Sequence, residues 1–438
     1  MTIRALLVAV IAFTPAAAKA QPTQLATDTA TVTFDVNGLK VILRRNTAND
    51  VVVANMYLLG GTQQLTPATQ GIETLLLNAS ERGTKRFPGA AARQIPARLG
   101  SYFTISGSED WTLFGLRSVR STFDSTFAVF ADRIAAPTLD SSEVELVRAR
   151  MTTAERLGAN DPDDVVQHLA DSLTFVGHPY GFDPNGTESS LYSITLGQLR
   201  GYQATQMVTS RMLLVVVGNV ERARVEQLVQ RTLGQLPRGN YTWAPPHLPP
   251  HLGKAAVVRN APLPTNYLLG FYVGPTARDP DYAALRVATA VLSGRFFTEI
   301  RSRRNLSYEV DAPFLERAIS AGGVYVTTVS PDTTLQLMRA EINRLKTELI
   351  DPQGLDRLVQ QFITEYFLKN ETNGDQATFL ARAQIYQGDY RMAQRFVADL
   401  RRVTPEDVQR VARAYMHDFR FVYLGNASAL NQELLSQF

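Results

Sequence analysis

Two distant stretches of the chain follow the same order of elements. In the first, Thr195 precedes a short helical segment, and the apolar strand 213–219 follows. In the second, Thr404 precedes a helical segment and the apolar strand 420–426 follows, and both strands end in Gly-Asn. A threonine directly before a helical segment is a typical N-cap. A repeat of this kind predicts one supersecondary plan used twice, and therefore two similar domains.

A second pair of segments supports the duplication. The strand 267–273, followed by a glycine and a helix over 279–292, resembles the strand 56–59, which is followed by two glycines and a helix over 70–82. The 438 residues are also too many for a single core. Helices mixed with hairpins favour an α+β fold with mixed, mostly antiparallel sheets and helices on one side of each. The predicted domains are 22–236 and 254–438, joined by the proline-rich linker 237–253.

The first twenty residues are typical of a secretory signal peptide. Arg4 precedes an apolar run over 5–13, and Ala18-Lys19-Ala20 fits the small-x-small cleavage rule. The run is well short of the roughly 20 residues that span a bilayer, and no later stretch is long enough. Together with the absence of cysteine, which excludes disulfides and thiolate metal sites, this predicts a cleaved signal over 1–20 and a periplasmic protein.

Charge gives no sign of a nucleic-acid partner. The formal net charge is +3, and cleavage of the signal removes two of the positive side chains. No run of lysine and arginine is interleaved with aromatic residues. We therefore expect neither nucleic-acid binding nor a membrane span.

Residues 70–88 contain an amphipathic helix. Ile72, Leu75, Leu76 and Ala79 recur at the spacing of one helical face, and Gly83 ends the segment. This pattern alone predicts a helix packed on the core.

Several stretches resemble the pitrilysin/insulinase family of zinc metallopeptidases, the inverted zincins. They are the helix 71–82 with the Gly-Thr-Lys-Arg-Phe-Pro that follows it, Asn-Asp-Pro-Asp-Asp at 160–164, Gly-His-Pro-Tyr-Gly at 177–181 and the segment 296–308. They occur in the order of the family and cover nearly the whole mature chain. The resemblance implies two homologous domains that face each other as a clamshell.

The zinc motif of this family, H-x-x-E-H, is absent. Aligned through Gly71 and Gly83, its positions fall on Thr74, Leu77 and Asn78, which supply neither two imidazoles nor a general base. The resemblance places the further glutamate ligand at Glu155, but one carboxylate does not hold zinc, and a solvated helix glutamate is the alternative. The five histidines form no pair at helical spacing on a predicted helix. We expect no metal in this chain.

Arg301 and Tyr308 have the spacing of a second family feature. The resemblance implies an arginine and, seven residues later, a tyrosine that reach the carbonyl of the scissile bond, where a guanidinium and a phenol stabilise an oxyanion. Arg303 and Arg304 leave the register of the arginine open. The alternative is a solvated arginine and a tyrosine packed on the core.

A third feature concerns peptide binding. The segment at 102–106 follows Gly100, where the resemblance implies an exposed edge strand that pairs with the peptide substrate; its residues are Tyr102, Phe103, Thr104, Ile105 and Ser106. The alternative is a strand of the sheet without a ligand.

These features predict a zinc-free subunit of a two-subunit periplasmic metalloendopeptidase. The resemblance extends to the partners found in bacterial two-subunit peptidases and in mitochondrial processing peptidase. A homologous zinc-bearing subunit would be the partner, Arg301 and Tyr308 would act in trans on a peptide, and the isolated chain would be inactive. The alternatives are a non-catalytic peptide-binding or assembly protein of the same fold and a homodimeric peptide scavenger.

Overall fold

The computed structural model describes residues 30–438, apart from the side chain of Lys369. The predicted signal peptide, residues 1–20, lies outside these residues. Within them the chain forms two halves, each built on a mixed sheet, which confirms the predicted α+β fold.

The first half has a six-stranded sheet in the order β1-β2-β6-β3-β5-β4, in which β2 and β6 are parallel and the other pairs are antiparallel. Its elements are β1 (Thr31–Val36), β2 (Leu39–Arg45), β3 (Val51–Leu59), α1 (Ile72–Ala79), α2 (Ala91–Arg98), β4 (Tyr102–Gly107), β5 (Trp111–Val119), α3 (Phe123–Ala135), α4 (Ser141–Gly158), α5 (Pro162–Thr174), α6 (Glu188–Ser193), α7 (Leu196–Gln206), β6 (Met212–Gly218) and α8 (Arg222–Arg231).

The second half repeats this plan in the order β10-β11-β8-β12-β7, with β9 also paired to β11. The parallel pair β7 and β12 corresponds to β2 and β6. Its elements are β7 (Ala255–Asn260), β8 (Asn266–Thr276), α9 (Asp281–Phe296), β9 (Val310–Asp311), β10 (Phe314–Leu315), β11 (Ile319–Thr328), α10 (Pro331–Thr347), α11 (Pro352–Lys369), α12 (Asn373–Gln387), α13 (Phe396–Arg401), α14 (Pro405–Tyr415) and β12 (Arg420–Gly425).

Local sequence signals explain where several elements begin and turn. Thr195 and Thr404 cap α7 and α14, and each forms a reciprocal capping box with the residue three positions later. Asp161 caps α5, with Pro162 in the first turn. Asn37 and Gly38 have φ angles of 52° and 85°, as a two-residue hairpin turn between β1 and β2 requires.

Each half also sends one helix across to the other. Helix α5 of the first half packs on β8 and β12, where Val166 and Ala170 contact a core that contains Phe271. Helix α12 of the second half packs on β3 and β6, where Ala377 lies in one cluster with Tyr57. One face of each sheet is therefore covered by the opposite half, and this exchange joins the halves.

A buried polar cluster lies where the halves meet. Asp110, in the turn between β4 and β5, accepts hydrogen bonds from the hydroxyls of Tyr180 (2.5 Å) and Tyr386 (2.8 Å) and from the backbone N–H of Ala318 (2.9 Å). Arg317 next to it pairs with Asp171 of α5 at 2.8 Å. Tyr386, Arg317 and Ala318 belong to the second half, so the cluster is shared by both halves.

The linker 237–253 contains neither helix nor strand. It is attached through His178, whose Nε2 lies 2.9 Å from the carbonyl oxygen of His247. Among residues 30–438 no helix has the length and apolarity needed to cross a bilayer.

Candidate functional site

Helix α1 carries Thr74, Leu77 and Asn78, the positions that the sequence analysis aligned with the zinc motif. It begins after Gly71, whose φ of 81° favours glycine. Thr74 is buried, and its hydroxyl lies 3.0 Å from the carbonyl oxygen of Gly71 and 3.2 Å from that of Pro184. This hydroxyl is a donor to backbone carbonyls and is not presented as a metal ligand.

Leu77 is equally enclosed. Its side chain is 1% exposed, and its carbonyl accepts a hydrogen bond of 3.1 Å from Nη2 of Arg133. Burial lowers the pKa of Arg133 to about 10, and its guanidinium lies over the rings of Phe103 and Phe114. An apolar side chain therefore occupies the predicted position of the general base, and a buried cation lies at the end of the same helix.

Asn78 is held by its neighbours. Its Nδ2 donates to the carbonyl oxygen of Thr74 at 2.8 Å, and its Oδ1 accepts from Nη2 of Arg150 at 3.3 Å. Arg150 also pairs with Glu81 at 2.7 Å. The guanidinium of Arg150 would repel a zinc ion at this position. A zinc site also needs convergent nitrogen, sulfur or carboxylate ligands, so these residues do not fit zinc.

Glu155 on α4 is half-buried in an acidic setting. Burial raises its pKa, and the nearby carboxylate of Asp183 raises it further, while His168 acts in the opposite direction. Asp183 itself lies 3.5 Å from Nδ1 of His168. Over the part of the chain that the structure describes, no three His, Asp or Glu side chains are grouped as a metal would require.

Strand β4 lies at the edge of its sheet and pairs only with β5 among the described strands. Its residues alternate between exposed and half-buried. At its end, a side chain on Gly107 would come within 3.1 Å of Cγ2 of Thr74. The structure therefore brings the predicted peptide-binding strand and the degenerate motif helix together.

Arg301 and Tyr308 lie side by side in the second half. The guanidinium of Arg301 lies 4.8 Å from the ring centre of Tyr308 and 5.2 Å from that of Phe297, which places it between two aromatic rings. Tyr308 is 81% exposed. The interpretation of Tyr308 as a packed core residue is therefore wrong.

The neighbouring arginines are arranged differently. Arg303 and Arg304 both pair with the carboxylate of Glu299, at 2.5 Å for Arg304. The hydrogen bond from Arg304 lowers the pKa of Glu299. These contacts hold Arg303 and Arg304 away from Tyr308 and leave Arg301 as its neighbour.

Phe297 is not among the site residues predicted from the sequence. It opens a π-helical turn over Phe297–Ser302, which follows α9 directly and contains Arg301. The signal was the aromatic residue four positions before Arg301, since residues at this spacing lie on one side of a helix.

Comparison with known proteins gives the family. A family model described as "Insulinase (Peptidase family M16)" matches residues 40–181, and one described as "Peptidase M16 inactive domain" matches residues 193–362. The chain belongs to the M16 peptidase family. The resemblance inferred from the motifs is confirmed.

Relatives within the M16 family are distant. The chain is 22% identical to the mitochondrial-processing peptidase subunit beta of Blastocladiella emersonii, over 87% of this chain and 85% of that protein. It is 24% identical to the human cytochrome b-c1 complex subunit 1, over 62% of this chain and 57% of that protein, so the match spans little more than half of the human subunit.

Solved structures share the M16 fold. A protease from Helicobacter pylori superposes with a TM-score of 0.83 at 18% identity, over 90% of this chain and 99% of that one. A chain of complex III2 from Candida albicans gives a TM-score of 0.79 at 15% identity, over 93% of this chain and 99% of that one.

Proposed function

We propose that this protein is the zinc-free subunit of a heteromeric metalloendopeptidase. A homologous partner would carry the zinc and the general base, and this chain would contribute Arg301 and Tyr308 to the same cleft. The pairing of these two side chains is the observation that carries the proposal. The proposal includes export to the periplasm, which fractionation of the cells that make the protein tests.

The chemistry of the pair fits this role. Hydrolysis of a peptide bond forms a tetrahedral oxyanion, which hydrogen-bond donors stabilise if they are already aimed at it. A guanidinium and a phenol hydroxyl are such donors. The hydroxyl of Tyr308 is exposed, and Arg301 is kept beside it by two rings.

The contacts of α1 support the proposal of a zinc-bearing partner. Thr74 and Asn78 donate to backbone carbonyls, and Arg150 approaches Asn78. The first half therefore offers no metal ligands at the family position. It retains β4, whose outer edge pairs with no other strand among residues 30–438 and suits pairing with an extended peptide.

Reconstitution with a zinc-bearing M16 homologue, preferably one encoded next to this gene, tests the proposal. We expect peptide hydrolysis only in the mixture. Tyr308→Phe should reduce kcat by about 100-fold or more, the usual loss when one oxyanion donor is removed. Tyr192→Phe is the matched control, because Tyr192 is also an exposed tyrosine.

A second comparison tests the arginine. Arg301→Lys should reduce turnover, whereas Arg303→Lys should not, because Arg303 is bound to Glu299. Equal turnover of wild type and Tyr308→Phe would remove Tyr308 from the mechanism. One tightly bound zinc in the isolated, active chain would overturn the whole proposal.

The second candidate is an assembly protein without a role in chemistry. The similarity to a cytochrome b-c1 complex subunit favours it. This function predicts a stable complex with other proteins and no peptide hydrolysis with any zinc-bearing M16 homologue. Purification of the native complex from cells, followed by a peptidase assay, separates the two candidates.

A further inference from the structure

A cavity of about 670 Å³ opens in the second half. It lies between the start of α9, helix α12 and the segment around α13. Its volume is in the range of ordinary small-ligand sites. None of the proposed peptidase residues lines it, so its chemistry is separate from the function proposed above.

The cavity carries more positive than negative side chains. Six arginines and four carboxylates line it. Arg286 of α9 and Arg382 of α12 both pair with the single carboxylate of Glu316. Arg395 and Arg402 also share one carboxylate, that of Asp399, at 3.8 Å and 3.1 Å. Each of these two carboxylates therefore faces two guanidinium groups.

The pair around Glu316 is the more enclosed of the two. The side chain of Arg286 is 25% exposed, and its guanidinium lies 4.9 Å from the ring centre of Phe396. Burial lowers the pKa of Arg286, and the charge of Arg382 adds to this effect. Nε of Arg382 is buried and has no hydrogen-bond partner within residues 30–438. A buried donor without an acceptor is costly, and an anion at this point would satisfy it.

The remaining walls are largely apolar. The rings of Tyr282, Phe379 and Phe396 line the cavity, together with the side chain of Met392. A ligand that fills this space gains binding free energy when an apolar group of the ligand packs against these rings. A small hydrated anion gains no binding free energy from these rings, because it has no apolar group to bury.

We propose that this cavity binds a carboxylate carried on an apolar or aromatic body. The carboxylate accepts hydrogen bonds from Arg286 and Arg382, and the body lies against Tyr282, Phe379 and Phe396. A single negative charge neutralises the set formed by Arg286, Arg382 and Glu316. The ligand is either a free organic acid or the C-terminal carboxylate of a peptide that ends in an apolar residue.

Calorimetric titration of the full chain tests the ligand class. The first pair of probes is N-acetylphenylalanine and its amide; the second is a short peptide ending in phenylalanine, with a free or an amidated C-terminus. Saturable binding of an acid, at least 10-fold tighter than that of its amide, supports the proposal. Tighter binding of the peptide assigns the ligand as a chain terminus, and tighter binding of the free acid assigns a small molecule.

Two substitutions test the site. Arg382→Gln should weaken binding of the acid at least 10-fold, and Arg382→Lys, which keeps the charge and loses the planar fork, should fall in between. Arg231→Gln is the control, since Arg231 is an exposed arginine on α8. The side chain of Arg382 is 40% exposed, so these variants retain the buried core.

Glu316→Gln gives an independent readout. This variant leaves two guanidinium groups without their carboxylate, so it should melt at a lower temperature than the wild type. The acid should then raise its Tm by more than it raises that of the wild type, because the ligand restores the missing charge. Absence of saturable binding, equal affinity for acid and amide, or unchanged affinity in Arg382→Gln would each overturn the proposal.

Discussion

The buried ion pair between Glu73 of α1 and Arg211 connects α1 to the rest of the fold, and its removal tests how much this connection contributes to stability. Nη1 of Arg211 lies 2.6 Å from Oε2 of Glu73, and the two side chains are 0% and 4% exposed. The hydroxyl of Tyr202 donates to the same carboxylate oxygen at 2.9 Å, and Nε of Arg211 donates to the carbonyl of Leu59. Although burial disfavours its charge, the carboxylate of Glu73 raises the pKa of Arg211.

The geometry sets the size of the effect. At 2.6 Å the Coulomb attraction is about 6 kcal/mol for an effective dielectric constant near 20. Desolvation of both groups offsets much of this attraction, so the intact pair adds little net stability. Removal of one partner leaves a buried charge, which costs roughly 3–5 kcal/mol. Glu73→Leu should therefore lower the free energy of unfolding by roughly that amount.

The two single variants should differ. Arginine does not lose its proton, whereas a carboxylate left alone takes one up because burial disfavours its charge. Arg211→Met should therefore be less destabilised than Glu73→Leu.

Urea unfolding followed by circular dichroism measures these differences. The double variant Glu73→Leu/Arg211→Met should recover most of the stability, with a coupling energy of about 3 kcal/mol. The ion pair of Arg222 with the half-buried Glu226 on α8 is the control, and its coupling should stay below about 0.5 kcal/mol. A double variant as unstable as the sum of the singles would refute the reasoning.

Three further predictions concern His178, which contacts the linker, the glycine before α1 and the cap of α14. Nδ1 of His178 accepts a hydrogen bond from the N–H of Tyr180, so Nε2 carries the proton. Burial lowers the pKa of the His178 ring below its ordinary value of 6.5. The contribution of neutral His178 to stability is therefore present above pH 6.5 and is lost as the pH falls below it. Urea unfolding of wild type should depend more steeply on pH between pH 7 and 5 than that of His178→Asn, by at most about 1.4 kcal/mol per pH unit, and identical slopes would contradict this. Gly71→Ala should lower the free energy of unfolding by roughly 1–3 kcal/mol, because φ is 81° and the new Cβ would lie 2.5 Å from the carbonyl oxygen of Asn185. The control in the same urea assay is Gly201→Ala on α7, where the new Cβ meets no atom within 4 Å and no stability should be lost. Thr404→Ala should lower the melting temperature through the loss of about 1 kcal/mol, while Thr404→Ser keeps the cap.

Local sequence patterns were sufficient for the elements and for the duplication. The Thr caps of α7 and α14 and the apolar strands that follow them depend on residues close together in the chain, so the bounds of the two strands were predicted to within a few residues. The absence of histidine and glutamate at Thr74, Leu77 and Asn78 is likewise a property of the sequence. It determined that the metal motif is missing.

Only the tertiary structure decided how these elements are used. The exchange of α5 and α12 between the halves, and the burial of Asp110 at their junction, depend on contacts between residues far apart in the chain, for which local periodicity carries no signal. The same holds for the approach of Arg150 to Asn78. The sequence left three arginines as candidates for the neighbour of Tyr308. In the fold Arg303 and Arg304 pair with Glu299, and Arg301 contacts the rings of Phe297 and Tyr308. Side-chain pairing of this kind depends on packing and charge in three dimensions.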